Sequence, residues 1–133
     1  MSQLVRFSSP DTVTPPYGPY SHVATVSADA ELVFLSGQVG ELPDGSLPES
    51  IEDQYLQTIK TIAAILEAEG LGPQNIVKLT TYVTEPIPAD RLRAARHSVF
   101  GDIKPAATLL FVPRLAADGY KVEIDTIAVR AAK

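Results

Sequence analysis

Residues Ser50–Glu85 read SIEDQYLQTIKTIAAILEAEGLGPQNIVKLTTYVTE. Within this stretch Ile51, Tyr55, Ile59, Ile62 and Leu66 recur at helical spacing and form one apolar stripe. Ser50 followed by Asp53 approximates a capping box at the start, and Gly70 supplies the usual stop. Ile76–Thr84 then becomes β-branched and reads as a strand, ended by Pro86 and Pro88. An amphipathic helix leading into an apolar strand predicts a helix packed on a sheet.

Working outward, a second, shorter helix is expected from Ala89 to Phe100, with Leu92, Ala95 and Val99 inward and Gly101 at its end. Two strands follow, Ala107–Leu115 and Tyr120–Arg130, joined by a turn at Asp118-Gly119. Upstream, Ser21–Ser27 and Glu31–Gln38 are strand-like runs separated by Asp29-Ala30, which predicts a β-hairpin. An extra strand is expected near Leu4–Phe7. The prolines of residues 10–19 exclude helix there, and Leu42–Pro48 is turn chemistry throughout. The order is ββαβαββ in one domain spanning residues 1–133, an α+β class with a mixed sheet and both helices on one face. Yet Leu32–Leu35 and Leu109–Val112 are apolar on both faces. The second sheet face therefore needs a cover, which an oligomer would supply.

Composition narrows the function. The 133 residues are 45% hydrophobic and 20% charged, as in ordinary globular domains, and no apolar run is long enough for a membrane span. The N-terminus lacks the pattern of a signal peptide, so a cytoplasmic location is expected. With no Cys and only His22 and His97, neither thiolate chemistry nor a His-rich metal site is expected. The formal net charge of -5 disfavours a nucleic-acid partner. A small molecule remains the expected partner.

Few residues suggest chemistry on spacing alone. Glu123 and Asp125 alternate onto one face of the last strand, where a carboxylate could activate water or simply be solvated. Arg91, Arg93, Arg96 and His97 crowd the second helix, either as a solvated face or as an anion clamp.

The blocks GPYSHV (Gly18–Val23), LVFLSGQV (Leu32–Val39), Ser50–Leu71, VKLTTYVTE (Val77–Glu85), KPAAT (Lys104–Thr108) and VEIDTIAV (Val122–Val129) resemble, in this order, the RidA/YjgF family of reactive intermediate deaminases, also called endoribonuclease L-PSP. The resemblance runs from about Pro16 to Arg130. It implies a chorismate-mutase-like fold and a homotrimer with small-molecule pockets between subunits. It also implies cofactor-free, metal-free hydrolysis of enamines or imines such as 2-aminoacrylate. In residue terms it implies that Glu123 helps place the attacking water, while Tyr20, Ser36, Gly37 and Thr108 line the pocket. Where the family's deaminases read P-A-R-S, this chain reads Pro105-Ala106-Ala107-Thr108, so Ala107 stands in place of the Arg that binds the substrate carboxylate. Poor deamination of 2-aminoacrylate is therefore expected. Arg93 falls where the family often has an Asn near the pocket. Two readings stay open here: an enamine or imine hydrolase, and a non-catalytic metabolite-binding module. Ribonuclease activity or translation inhibition is disfavoured by a pI near 4.9 and the lack of a basic stripe.

Overall fold

The computed structural model describes residues 4–132. Its elements are β1 (Val5–Ser8), β2 (Val23–Val26), β3 (Ala30–Val39), α1 (Ile51–Ala68), β4 (Ile76–Val83), α2 (Ala89–Phe100), β5 (Ala106–Phe111) and β6 (Val122–Ala131), with a single 3₁₀ turn at Pro73–Asn75. The main sheet has the order β3-β6-β4-β5. β6 runs antiparallel to both neighbours, while β4 and β5 are parallel and joined by the α2 crossover. The expected α+β class, mixed sheet and one-sided helices are all present.

Helix α1 forms where its stripe demands. The Ser50 hydroxyl accepts the Asp53 N–H at 3.1 Å, closing one free donor of the first turn. At the other end Gly70 takes φ +75°, and the Leu71 N–H reaches back to the Leu66 carbonyl at 2.8 Å. Ile59, Ile62 and Leu66 are completely buried against Ile76, Val83, Val122, Ile124 and Ala128 of the sheet. Burial of each such side chain stabilises the fold by about 1.5–3 kcal/mol.

Two pairings differ from expectation. The run at Ser21–Ser27 does not form a hairpin with Glu31–Gln38. Its strand β2 pairs with β1 (Val5 opposite Val26), and β3 pairs with β6 along Ala30–Leu35 and again at Gln38-Val39. Both β3 and β6 have ten residues, whereas β2 has four, so β6 offers β3 the longer ladder. The last two strands are not neighbours either, because β4 lies between them. β5 also ends at Phe111 rather than Leu115: Val112 still donates to the Val83 carbonyl at 2.9 Å, but Pro113 has no N–H to continue.

The sheet face away from the helices is bare. Alternation along β3 buries Val33 and Leu35 towards the core and leaves Leu32 and Phe34 on the open side, 49% and 68% exposed. Leu110 of β5 is 42% exposed.

One buried polar side chain ties α1 to the loops. Gln54 donates to the Pro48 and Gly119 carbonyls at 2.8 and 2.9 Å and accepts from the Lys121 N–H at 2.9 Å. Truncation would orphan all three backbone groups. Gln54→Ala is expected to lower unfolding stability by about 3 kcal/mol, the sum expected for several unsatisfied buried groups. Urea unfolding checks this; a loss below about 1 kcal/mol would show that water replaces the side chain.

Candidate functional site

A cleft of about 440 Å³ opens between α2, the start of β5 and the loop through Tyr17–Tyr20. Pro15, Pro16 and Pro19 keep this loop extended, and its end is strapped along the free edge of β5. The Ser21 N–H donates to the Pro105 carbonyl at 3.0 Å, and the Ser21 hydroxyl donates to the Lys104 carbonyl at 2.6 Å. The Tyr20 hydroxyl accepts the Tyr17 N–H at 3.1 Å, which pins the Tyr20 ring against its own loop.

The cleft's floor is apolar, with Ile59, Leu79, Phe100 and Ile124. Its polar rim brings together four of the sequence-derived candidates: Tyr20, Arg93, Ala107 and Thr108. Arg93 donates to the Tyr17 carbonyl at 3.0 Å and so joins α2 to the loop. Arg93 and Arg96 also line a second groove of about 430 Å³ on the other side of Tyr17–Pro19, with His97 and Lys104. Thr108 borders the cleft, but strand alternation turns its side chain to the open face, where its hydroxyl accepts from the Lys78 ammonium at 3.0 Å.

Three candidates lie elsewhere. On β6, Val122, Ile124, Thr126 and Ala128 point to the helices and are buried, so the alternate residues Glu123 and Asp125 point to the open face. The bulge between Leu35 and Gln38 places Ser36 and Gly37 beside them. Gly37 backs directly onto both carboxylates, and a Cβ there would overlap the Glu123 side chain. The Tyr82 hydroxyl donates to Asp125 at 3.3 Å, and the negative charge of Asp125 is the main cause of a raised Tyr82 pKa. Within one chain, then, Glu123, Ser36 and Gly37 form one constellation on the open face, Tyr20, Arg93 and Ala107 form another at the cleft, and Thr108 borders the cleft with its hydroxyl on the Glu123 side. The sheet separates them.

The arginines of α2 divide in a way that the clustering of charge did not show. Arg91 is solvated and pairs with Glu52 at 3.2 Å. Arg96 is only 8% exposed, donates to the Ile103 carbonyl at 3.3 Å and leaves its Nε without a partner. Burial lowers its pKa, opposed by Tyr55. The signal for Arg96 was present: it stands four residues after Leu92 and four before Phe100, within the apolar stripe. Among the described residues, no three His, Asp or Glu side chains gather closely enough to hold a metal ion. No helix among them is long and apolar enough to cross a membrane.

The family model for endoribonuclease L-PSP matches residues 12–130. The chain belongs to this family, the RidA/YjgF family. A RutC family protein of Aquifex aeolicus is 37% identical over 118 residues, covering 86% of this chain and 91% of that protein. A 2-iminobutanoate/2-iminopropanoate deaminase of Salmonella typhimurium is 32% identical over 117 residues, covering 85% and 88%. The crystal structure of Escherichia coli TdcF with bound serine superposes with a TM-score of 0.68 at 26% identity, over 95% of this chain and 99% of that one. The RidA/YjgF fold thus accounts for both the sheet order and the helices on one face.

Tyr55 closes the cleft's inner end and gives a test of its dryness. Burial pushes its phenol from 10.0 up to about 12. The folded chain holds this proton more tightly than the unfolded chain, so the linked stability is complete below pH 10 and is lost as pH rises towards 12. Tyr55→Phe should flatten that alkaline decline. Urea midpoints measured across this range for both proteins decide it, and parallel curves would mean that the cleft is wet at Tyr55.

Proposed function

We propose that this chain is a homotrimeric hydrolase of a small enamine or imine, with its pockets completed across subunit boundaries. The observation that carries the proposal is the separation just described. Glu123 and the cleft lie on opposite faces of one sheet, so they meet only if a second copy brings its Glu123 to the first copy's cleft. The face that bears Glu123 is the one with exposed Leu32, Phe34 and Leu110, an apolar surface that association would cover. The chemistry named for the Salmonella relative, deamination of 2-imino acids, supports the same reading.

In this arrangement the ligand sits in the cleft between Tyr20, the start of β5 and the α2 wall. The Glu123 carboxylate of the neighbouring copy accepts a proton from water as the water oxygen adds to the imine carbon. The imine enters protonated on nitrogen, so this addition gives a neutral carbinolamine. Glu123 then returns its proton to the amine, the C–N bond breaks as the carbinolamine hydroxyl gives its proton to Glu123, and the carbonyl product leaves with ammonia, which carries that proton away as ammonium. The Tyr20 hydroxyl already accepts from Tyr17 and keeps its own O–H to donate to the ligand. Gly37 leaves room for the carboxylate that a larger residue would displace.

Ala107 supports the second reading, a metabolite-binding module without turnover, because it offers no charge to a substrate carboxylate. RNA cleavage is not proposed: the net charge of -5 disfavours binding to a phosphate backbone.

Sedimentation equilibrium should give a trimer, and Phe34→Asp should give a monomer. Keto-acid release from 2-imino acids generated in situ by an amino-acid oxidase should fall about a hundredfold or more in Glu123→Gln, the usual cost of losing a general base, whereas 2-aminoacrylate from a dehydratase should be a poor substrate of the parent itself. An active monomer would overturn the shared pocket. Unchanged turnover in a folded Glu123→Gln trimer would overturn the role of Glu123, and no turnover in the parent protein would leave the binding module.

A further inference from the structure

Two arginines, Arg93 and Arg96, line this cleft and no acidic residue does; both also border the neighbouring groove, where Asp102 lies. Three other arginines of the chain, Arg91, Arg114 and Arg130, pair with acidic side chains. Arg93 and Arg96 pair with none among the described residues, and their hydrogen bonds go to single backbone carbonyls of Tyr17 and Ile103. An arginine has five N–H donors, so most of each fork is unused. For the nearly buried Arg96 this is costly, since a desolvated cation without a counter-charge is strongly unfavourable. Tyr55 does not supply the counter-charge, because burial keeps its phenol protonated at neutral pH.

The remainder of the cleft is apolar. Ile59, Leu79, Leu92, Phe100, Leu109 and Ile124 supply most of its wall. In the single chain its volume is about 440 Å³, within the range of small-molecule pockets and open on the side that a second copy would cover. Ala107 opens space at the β5 wall and offers no donor there, which leaves the α2 wall as the cationic side of the chamber.

We infer that Arg93 and Arg96 together form the anion anchor of this cleft, and that its ligand is a carboxylate with an apolar body of branched-chain or aromatic size. The inference rests on the reading of the cleft as the substrate pocket, and it adds the ligand class and the wall that holds the charge. An anion taken up at α2 lies across the chamber from residue 107. The apolar body then extends over Phe100, Leu79 and Ile124, towards Leu109.

Titration calorimetry on the intact protein tests this with 2-oxo acids as stable product-like probes: pyruvate, 2-oxobutanoate, 4-methyl-2-oxopentanoate and phenylpyruvate. 4-Methyl-2-pentanone serves as the uncharged control. Affinity is expected to rise about tenfold or more from pyruvate to 4-methyl-2-oxopentanoate, as apolar area is buried. Arg93→Gln, which keeps an amide donor for the Tyr17 carbonyl, should weaken every acid about tenfold or more and weaken the ketone much less. Arg96→Gln should do the same if it folds; Arg93→Gln decides the matter if it does not. Equal affinity of parent and Arg93→Gln for the acids, tighter binding of pyruvate than of the larger acids, or no acid binding at millimolar concentration would each overturn the inference. The readout is equilibrium binding. Acid binding that depends on Arg93 in a protein without turnover would therefore remove the hydrolase and keep the anchor, and turnover without that dependence would do the reverse.

Discussion

The two-residue alternation of β6 governs the arrangement of everything around it. This strand lies between β3 and β4 and has a neighbour on each side, so its register is fixed along nearly its whole length. Val122, Ile124, Thr126 and Ala128 are committed to the helix side, where they are completely or nearly completely buried. Glu123 and Asp125 must then face away from the helices. A slip of one residue would drive both carboxylates into a core built around Ile59 and Ile62, at a desolvation cost that no contact there could offset. The alternation that secures the core is thus the same feature that removes Glu123 from the cleft of its own chain. A fold of this design can unite the two constellations only through a second copy, and the open face supplies apolar area for one.

Strength of local signal explains how much of this was legible in the residues. α1 could be read nearly to its ends, because its stripe, its Ser50 cap and its Gly70 stop all agree. β4 and β6 were clear from their β-branched content. Strand pairing was less so. Asp29-Ala30 has the look of a hairpin turn, and the Ala30 N–H does bond the Ser27 carbonyl at 3.1 Å, yet the turn carries the chain from one sheet to the other. Local turn chemistry specifies a change of direction, whereas the partner is chosen by ladder length across a hundred residues of separation. The same limit applies to the site. Tyr20, Arg93, Ala107 and Thr108 do converge, but they come from a loop, a helix and an edge strand whose proximity depends on the parallel β4–β5 crossover.

Arg96 departs from the solvated-face reading for a related reason. A charged residue within a crowded basic helix is usually solvated, and Arg91 follows that rule. The apolar spacing of Leu92, Arg96 and Phe100 overrides it, because α1 and the sheet approach α2 along that line. A guanidinium tolerates the position since its stem packs while one Nη reaches the Ile103 carbonyl. Retaining so costly a group inside a cleft is easier to account for as preparation for an anion than as a tie to one loop carbonyl, which a neutral amide could hold as well.

The loop that roofs the cleft is compatible with such a ligand without first having to open. Arg93 uses one Nη for the Tyr17 carbonyl, and the Tyr17 N–H is occupied by the Tyr20 hydroxyl. This chain of two hydrogen bonds fixes the Tyr20 ring relative to α2 before any ligand arrives. A carboxylate approaching the remaining edge of the Arg93 fork leaves both bonds in place, because the guanidinium's donors lie in one plane and point in different directions. Charge recognition and the placement of Tyr20 are therefore supported by the same side chain. With Ala107 on β5 offering no charge and the arginines on α2, the charged end of the pocket lies on the element that also holds its roof.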